Sequence, residues 1–325
     1  MLPVTLIQQA YNKIEAYTHR TPLSFDSKLN IYIKWENRQI TGSFKSRGAL
    51  NKVLNLTNAE KKKSVLAASA GNHGQGVAFA CKLLNIPVTI NVPSTAPKTK
   101  IKAINNFGAR LNIIPGGYEE AEKASIKQAK QTKEIWISPY NDLQVIAGQG
   151  TIAIETIKQL DLFSIDIKNM NWLVPISGGG LISGIAAYIK HEFPDHRIIG
   201  VQPETNAFMF DILKTGTQNN TIGQGTIADG LEGRVENESI TIPLVKEYVD
   251  DIILVSENQI KKAIAYAWVK YAQKIEGAGA VPLAAVLSHN FINKPVLLVI
   301  SGGNIDQNIH KSILRDYEHN PTKIK

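Results

Sequence analysis

The chain of 325 residues is poor in cysteine, methionine and aromatic residues, and the shortage of cysteine excludes the most. A single cysteine, Cys81, cannot form an internal disulfide framework or a zinc site built from cysteines. The lack of disulfides is typical of a reducing compartment and predicts a cytoplasmic protein. Hydrophobic residues make up 43% and charged residues 20% of the chain, as in ordinary globular proteins, which excludes disorder as its main state.

Long apolar runs and segments of one charge are also scarce. The N-terminus has no basic head followed by an apolar stretch, so no secretory signal is predicted. Residues 172–189 carry no charge, but Pro175 and three adjacent glycines interrupt them. This pattern indicates a buried strand, a turn and a buried helix rather than a membrane span. The net charge of +8 is spread along the chain, and the run Lys61–Lys63 has no interleaved aromatic residues, so nucleic-acid binding is not favoured.

Short apolar runs alternate with helical stretches along most of the chain. The predicted strands are residues 64–68, 87–92, 111–114, 135–137, 172–176, 197–201 and 295–300. The predicted helices are residues 74–84, 98–107, 118–132, 150–160 and 181–190. This alternation predicts an α/β protein with open, mostly parallel twisted sheets, and the length suggests about two domains. Because ligands bind at the carboxyl ends of parallel strands, glycine-rich turns that follow strands are the candidate sites.

Two such turns in the first half carry groups with possible chemistry. In the turn Thr41–Ala49, Lys45 is a nucleophile if its surroundings lower its pKa, and otherwise an ordinary exposed lysine at a helix start. In the turn Ser69–Gly74, backbone N–H groups at a helix N-terminus can bind a phosphate or carboxylate, and Asn72 adds a side-chain donor. The alternative for the second turn is that Ser69 and Asn72 only cap the helix.

Two further turns follow strands in the second half. Ser177–Leu181 has three adjacent glycines, which favours phosphate binding over a simple tight turn. Its glycine spacing and its lack of a lysine exclude a dinucleotide fingerprint and a P-loop. Ser301–Asn304 follows the apolar run 295–300, so Ser301 is placed to reach a ligand at the end of that strand. His73 has no second ligand at metal-binding spacing, so it is predicted to pack or hydrogen-bond, and no metal site is predicted.

Taken together, these motifs resemble the fold type II pyridoxal-phosphate enzymes, in particular the threonine/serine dehydratases of the serine racemase-like family. The segments that carry the resemblance, in family order, are Glu36–Lys45, Ser69–Gly76, Ile146–Thr151, Ser177–Leu181, Thr226–Gly230, Glu276–Ala280 and Ser301–Asn304. The resemblance covers nearly the whole chain and implies a tryptophan synthase β-like fold with the cofactor in a cleft between two α/β domains. Residues 1–52 and 141–325 are expected to form the large domain, and residues 53–140 the small, mobile, substrate-side domain.

The resemblance also implies a role for each site residue. Lys45 forms the Schiff base with pyridoxal 5'-phosphate and acts as general base, and Phe44 packs beside the cofactor ring. Asn72 hydrogen-bonds the 3-hydroxyl of the ring, and Ser301 faces the pyridine nitrogen. The other implied cofactor-binding residues are Ser177, Gly178, Gly179, Gly180 and Leu181, which hold the phosphate, and Gly230 and Glu276. The implied substrate-binding residues are Ser69, Ala70, Gly71, Asn72 and His73.

The implied reaction converts L-threonine, L-serine or both to a 2-keto acid and ammonia by β-elimination. Ala70 stands where the racemases carry a second acid–base serine, so dehydration is expected to exceed racemisation. Gln202 and Phe208 stand where the racemases carry metal-binding acids, so no metal is expected. The alternatives are a dehydratase for another β-hydroxyamino acid such as 3-hydroxyaspartate, a serine racemase and a non-catalytic cofactor-binding sensor. The expected partners are a small amino acid and a second copy in a homodimer, with no nucleic acid or membrane.

Overall fold

A computed structural model describes residues 1–163, 165, 168–289, 291 and 295–318, in which ten strands form two sheets. The strands are β1 (Leu23–Asp26), β2 (Ile31–Trp35), β3 (Val65–Ala68), β4 (Val88–Pro93), β5 (Arg110–Ile114), β6 (Ile135–Trp136), β7 (Asn171–Pro175), β8 (Arg197–Pro203), β9 (Asp251–Val255) and β10 (Val296–Ile300). The α-helices are α1 (Val4–Ile14), α2 (Lys45–Leu54), α3 (Asn72–Leu83), α4 (Lys98–Asn105), α5 (Tyr118–Thr132), α6 (Leu143–Leu162), α7 (Gly180–Glu192), α8 (Phe208–Thr215), α9 (Thr241–Tyr248), α10 (Glu257–Tyr271), α11 (Gly277–Ser288) and α12 (Gln307–Glu318). Within those ranges, no helix is long and apolar enough to cross a membrane.

The larger sheet has six strands in the order β1-β2-β10-β7-β8-β9. Its neighbouring strands are parallel, except that β1 runs antiparallel to β2 at one edge. The central strands β10 and β7 are buried along their whole length. Helices therefore cover both faces at the centre of this sheet, which explains why residues 296–300 are apolar without alternation.

The smaller sheet has four parallel strands in the order β5-β4-β3-β6, all drawn from residues 65–136. Its core also takes in side chains from outside that segment, among them Leu50 and Val53 of α2 and Val145 of α6. The domain boundary predicted between residues 52 and 53 thus falls inside α2. The division into residues 53–140 and the rest of the chain stays a prediction.

The α/β class and the mostly parallel sheets predicted from the sequence are confirmed. Helix α5 has the predicted bounds, because the Glu120 carboxylate accepts the N–H of Gly117 at 2.8 Å and closes its first turn. Helix α6 begins seven residues earlier than predicted, at residue 143 rather than 150, because the Asp142 carboxylate caps it. The uncharged run 172–189 divides into β7 and α7 at Gly179, whose φ of +85° suits glycine. No helix or strand was predicted from the sequence for the region that contains helices α8 to α11 and strand β9.

Candidate active site

The first turn of α2, which carries Lys45, is joined to the loop that follows the central strand β10. The N–H of Phe44 donates to the carbonyl oxygen of Ser301 at 3.0 Å, and Ser43 forms an isolated antiparallel bridge with Gly302. Ser301 is itself buried at the carboxyl end of its strand. Two of the predicted turns therefore meet at the edge of the sheet where parallel strands end.

The amine of Lys45 points away from that loop. Its Nζ donates to the carbonyl oxygen of Pro139 at 2.9 Å and lies 5.2 Å from the centre of the Phe44 ring. Burial lowers the pKa of this amine to about 8, although the negative charge of Glu276 opposes the shift. A neutral amine, which is the nucleophilic form, is thus accessible near neutral pH.

The turn before α3 supplies several donors beside this amine. Helix α3 begins at Asn72 with no side chain capping its first N–H groups. The N–H of Gly71 donates to the Ser69 hydroxyl at 3.0 Å, which closes the turn. Free N–H groups at a helix N-terminus suit a carboxylate or a phosphate. Between these residues, Ala70 packs against the core of the smaller sheet and offers no group that can transfer a proton.

His73 is buried in the first turn of α3 and hydrogen-bonds the backbone. Its Nε2 lies 2.9 Å from the carbonyl oxygen of Ile137, so the neutral ring donates from this nitrogen. Burial and the nearby Lys45 lower the pKa of His73 to about 3. The ring is therefore neutral at physiological pH, and it orients groups by hydrogen bonding rather than by charge.

Glu276 joins the turn before α3 to the loop after β10. Its Oε1 accepts the side-chain amide of Asn72 at 2.6 Å, and the Oδ1 of Asn72 accepts the amide of Asn304 at 2.7 Å. The N–H of Glu276 donates to the carbonyl oxygen of Gly302, where any Cβ would overlap the carboxylate. Burial, followed by the charge of Asp229, raises the pKa of Glu276 to about 7. This carboxyl can therefore hold or release a proton near neutral pH.

The glycine loop Ser177–Leu181 lies against Tyr140, the residue that follows the partner of the Lys45 amine, Pro139. Helix α7 begins at Gly180 with no side-chain cap, so its first N–H groups are open to an anion. Tyr140, the residue after Pro139, packs on the loop so closely that a Cβ at Gly178 would lie 2.5 Å from its ring. Tyr140 therefore leaves room only for glycine at position 178, whether or not a ligand also approaches the loop.

The remaining predicted site residue, Gly230, lies on an exposed turn. A Cβ at this position would lie 3.1 Å from Ala278, in the first turn of the helix that follows Glu276. The neighbouring Asp229 forms an ion pair with Lys100 of α4, on the side of the smaller sheet. Gly230 is therefore exposed, whereas His73, Glu276 and Ser301 are buried.

Sequence reasoning missed the residues that hold these groups in place. The carbonyl oxygen of Pro139 accepts a hydrogen bond from the Lys45 amine, and Tyr140 packs on the glycine loop. The Thr241 hydroxyl donates to the carbonyl oxygen of Gly178 at 2.7 Å. Asn304 was part of a motif without an assigned role. The available signal for Pro139 and Tyr140 was their place just after β6, where a parallel strand ends.

The expectation about metal concerns the segment after β8. Gln202 is buried, and its side-chain oxygen accepts the N–H of Phe210 at 3.1 Å. No group of three acidic, histidine or cysteine side chains that could hold a metal ion occurs in the part of the chain that the structure describes. The absence of a metal stays an expectation.

Comparison with known sequences connects this site to a family. The family described as "Pyridoxal-phosphate dependent enzyme" matches residues 14–302. The L-threonine ammonia-lyase of Thermotoga maritima is 40% identical over 321 residues, which cover 97% of this chain and 78% of that protein. The L-threonine dehydratase catabolic TdcB of Staphylococcus aureus is 40% identical over 313 residues, which cover 92% of this chain and 88% of that protein.

Comparison with solved structures gives the same result for the fold. Maize serine racemase matches with a TM-score of 0.86 and 31% identity over 98% of each chain. The processed form of threonine deaminase isoform 2 from Solanum lycopersicum matches with a TM-score of 0.85 and 31% identity over 95% of this chain and 87% of that one. The resemblance drawn from the motifs and the predicted cofactor are thereby confirmed. The chain belongs to the family of pyridoxal-phosphate dependent enzymes.

Proposed function

We propose that the chain is an L-threonine ammonia-lyase that also accepts L-serine and releases a 2-keto acid and ammonia. The relatives that match most of the chain carry names for this reaction. The observation that carries the proposal is the Lys45 amine, whose pKa of about 8 makes it both a nucleophile and a base near neutral pH. The charge of Glu276 acts on this amine, and the side-chain amide of Asn72 donates to Glu276.

The residues present fit pyridoxal phosphate. The uncapped start of α7 offers N–H groups to the phosphate, and Lys45 would hold the cofactor through Nζ. Phe44 would lie beside the ring, with Asn72 near its hydroxyl and Ser301 near its nitrogen. When bound, the cofactor supplies the electron sink that makes the Cα–H of an amino acid acidic.

The chain's own residues then determine where the proton goes. In its neutral form, Lys45 can take the Cα proton at Nζ, and the negative charge of Glu276 stabilises the resulting ammonium. The turn Ser69–His73 binds the substrate carboxylate through the N–H groups at the start of α3. Because Ala70 cannot deliver a proton to the opposite face, departure of the β-hydroxyl outruns racemisation.

We further propose that residues 53–140 close over the substrate, which would shield the reaction from water. The contacts of Asn72 with Glu276 and of Lys100 with Asp229 support this, because both join the side of the smaller sheet to the larger one. A homodimer and a cytoplasmic location complete the proposal. A buried, unpaired Cys81 suits a reducing compartment.

The deciding experiment measures 2-keto-acid release from the purified chain with pyridoxal phosphate, given L-threonine and L-serine in turn. We expect release from both, its loss in Lys45→Ala, and no D-serine from L-serine. Ala70→Ser is the matched probe, because it restores a hydroxyl at the position that the racemases use. A cofactor-loaded chain that releases no keto acid from either substrate would overturn the proposal and point to another hydroxyamino acid or to a sensor. Formation of D-serine at a rate above that of keto acid would instead indicate a racemase.

A further inference from the structure

Four ionisable side chains lie buried behind α2, on the side away from the cleft. Lys34 and Glu36 are 0% exposed, Arg47 is 1% exposed and Glu155 is 5% exposed. They come from β2, the turn after it, α2 and α6. With two cations and two anions, this buried charge cluster has no net charge.

Arg47 is the centre of the buried charge cluster because it binds both carboxylates. Its Nε and Nη2 each donate to one oxygen of Glu36 at 2.8 Å. Its Nη1 and Nη2 donate to the two oxygens of Glu155 at 3.1 and 3.0 Å. A planar guanidinium held by two bidentate partners has a fixed orientation as well as a fixed position.

The other members are also fully hydrogen-bonded. The Lys34 Nζ donates to Glu155 at 2.6 Å, to the side chain of Gln159 at 2.7 Å and to the carbonyl oxygen of Thr21 at 2.9 Å. The hydroxyl of Thr21 donates to Glu36 at 2.6 Å, and its N–H donates to Glu155 at 2.9 Å. Such complete pairing is the condition under which charges tolerate burial.

Stability alone does not explain the buried charge cluster, because well-packed apolar residues of similar volume often stabilise a protein as much or more. Apolar packing does not fix an orientation as a bidentate pair does. Arg47 follows Lys45 by two positions in the first turn of α2, so the two side chains point about 200° apart around the helix axis. Lys45 faces Pro139 across the cleft, while Arg47 faces the larger sheet.

We propose that the buried charge cluster positions the Lys45 amine by fixing the first turn of α2 from behind, with Arg47 and Glu155 as positioning residues. The inference rests on the proposed role of Lys45. A second attachment of α2 to α6 agrees with it, because the N–H of Gly48 donates to the side chain of Gln149 at 3.1 Å. Helix α6 thus holds α2 at two successive positions after the lysine.

The test uses the 325-residue chain freed of cofactor and measures how labelling of Lys45 by an amine-reactive reagent depends on pH. The double variant Arg47→Met with Glu36→Gln removes one charge of each sign and leaves Lys34 paired with Glu155. A loosened first turn lets water reach the amine and raises its pKa. We expect labelling at pH 8 to fall roughly two- to fivefold, which corresponds to an upward pKa shift of about half to one pH unit, while the unfolding temperature stays near that of the parent.

The control is Ile260→Ala, a buried residue of α10, which packs against α11 and α12. It should lower the unfolding temperature and leave Lys45 labelling unchanged. Parent-like labelling in the double variant, or an equal shift in Ile260→Ala, would overturn the inference. If the double variant does not fold, the same labelling measurement is made on Arg47→Lys, which keeps the positive charge but loses the planar guanidinium. The same fall in Lys45 labelling is expected there. Labelling needs no turnover, so failure of the proposed reaction would be seen separately.

Discussion

Helix α2 separates two sets of buried or partly buried ionisable groups, and their surroundings differ. On the cleft side, Lys45 contacts the carbonyl oxygen of Pro139, and Glu276 contacts the amide of Asn72. Neither has an opposite charge at hydrogen-bond distance. Burial therefore dominates and favours the neutral forms, with pKa values of about 8 for Lys45 and about 7 for Glu276.

Behind the helix, every charge has an opposite charge in contact. The charges of Arg47 and Lys34 lower the pKa of Glu155 to about 2 despite its burial, and the two carboxylates raise the pKa of Arg47 further above its usual range. Glu155 and Arg47 therefore stay ionised throughout the physiological pH range. The comparison shows that pairing makes a buried charge a permanent part of the structure, whereas burial without a charged partner leaves a proton that moves near neutral pH.

The largest expected effect is on the cleft side. Replacing Lys45 with alanine removes the amine that holds the cofactor and takes the Cα proton, so release of 2-keto acid from L-threonine should fall by more than about 10³-fold. Lys52→Ala, on the same helix but paired with Asp142, is the matched control and should keep its activity. Substantial keto-acid release from the Lys45 variant would show that another base carries the reaction.

Behind the helix, a substitution should affect stability first. Arg47→Ala leaves Glu36 buried without its cation and Glu155 with only Lys34, which should lower the free energy of unfolding in urea by about 3–5 kcal/mol. The charge-balanced double variant Arg47→Met with Glu36→Gln should lose much less. Equal losses in the two variants would contradict the view that an unpaired charge, rather than a lost contact, is the cause.

A smaller effect concerns Glu276 and the pH dependence of stability. Its folded pKa of about 7 lies above its ordinary value of 4.5, so between these pH values the folded chain holds a proton that the unfolded chain has released. The stability from this carboxyl is full below pH 4.5 and is lost as the pH rises to 7. As the pH rises from 4.5 to 7, the free energy of unfolding of Glu276→Gln should therefore increase relative to that of the parent by about 3 kcal/mol.

Urea unfolding of the cofactor-free chain at several pH values measures this gain. Burial and Lys45, not Glu276, set the pKa of His73, so its contribution cancels in the comparison. Because the charge of Glu276 acts on the pKa of Lys45, both proteins are compared in a Lys45→Ala background, which removes that difference. Stability curves of parent and variant that stay parallel across the window would show that Glu276 has an ordinary pKa.

The smallest effect is expected from an ion pair that is not buried. Lys123 and Glu119 pair along α5 with side chains that are 72% and 60% exposed. Water screens such a pair, so Lys123→Ala should leave the unfolding midpoint unchanged within error. A loss of stability as large as that in Arg47→Ala would mean that pairing, and not burial, determines how much an ion pair contributes to the free energy of unfolding.

The cleft side was accessible to sequence reasoning, because its residues occupy turns that follow apolar strands. Parallel pairing then brings the turns after β3, β7 and β10 to the same ends of their sheets. The bounds of α5 were also predictable, because acidic residues in its first turn mark where it begins. The contacts of Lys45 and Glu276 could not be predicted, because Pro139 and Asn72 approach them only through tertiary folding.

The buried charge cluster was missed altogether. Its members are spread over residues 34–155, and no local spacing joins them. The signal in the sequence was a charge inside an otherwise apolar run, such as Lys34 within Ile31–Trp35 and Glu155 within α6. Hydrophobic periodicity predicts that such a residue lies on the exposed side of its strand or helix. Only the packing of α6 against α2 shows that it is fully buried.

The strand order of the larger sheet has a consequence for synthesis on the ribosome. The strands of the smaller sheet are made consecutively, so that sheet can form while the chain is still growing. Strand β10 is the last of the described strands to be made, yet it lies between β2 and β7. The larger sheet is therefore completed only after β10 has been synthesised. We expect Lys45, made early, to join Ser301 in a finished site only once β10 has left the ribosome.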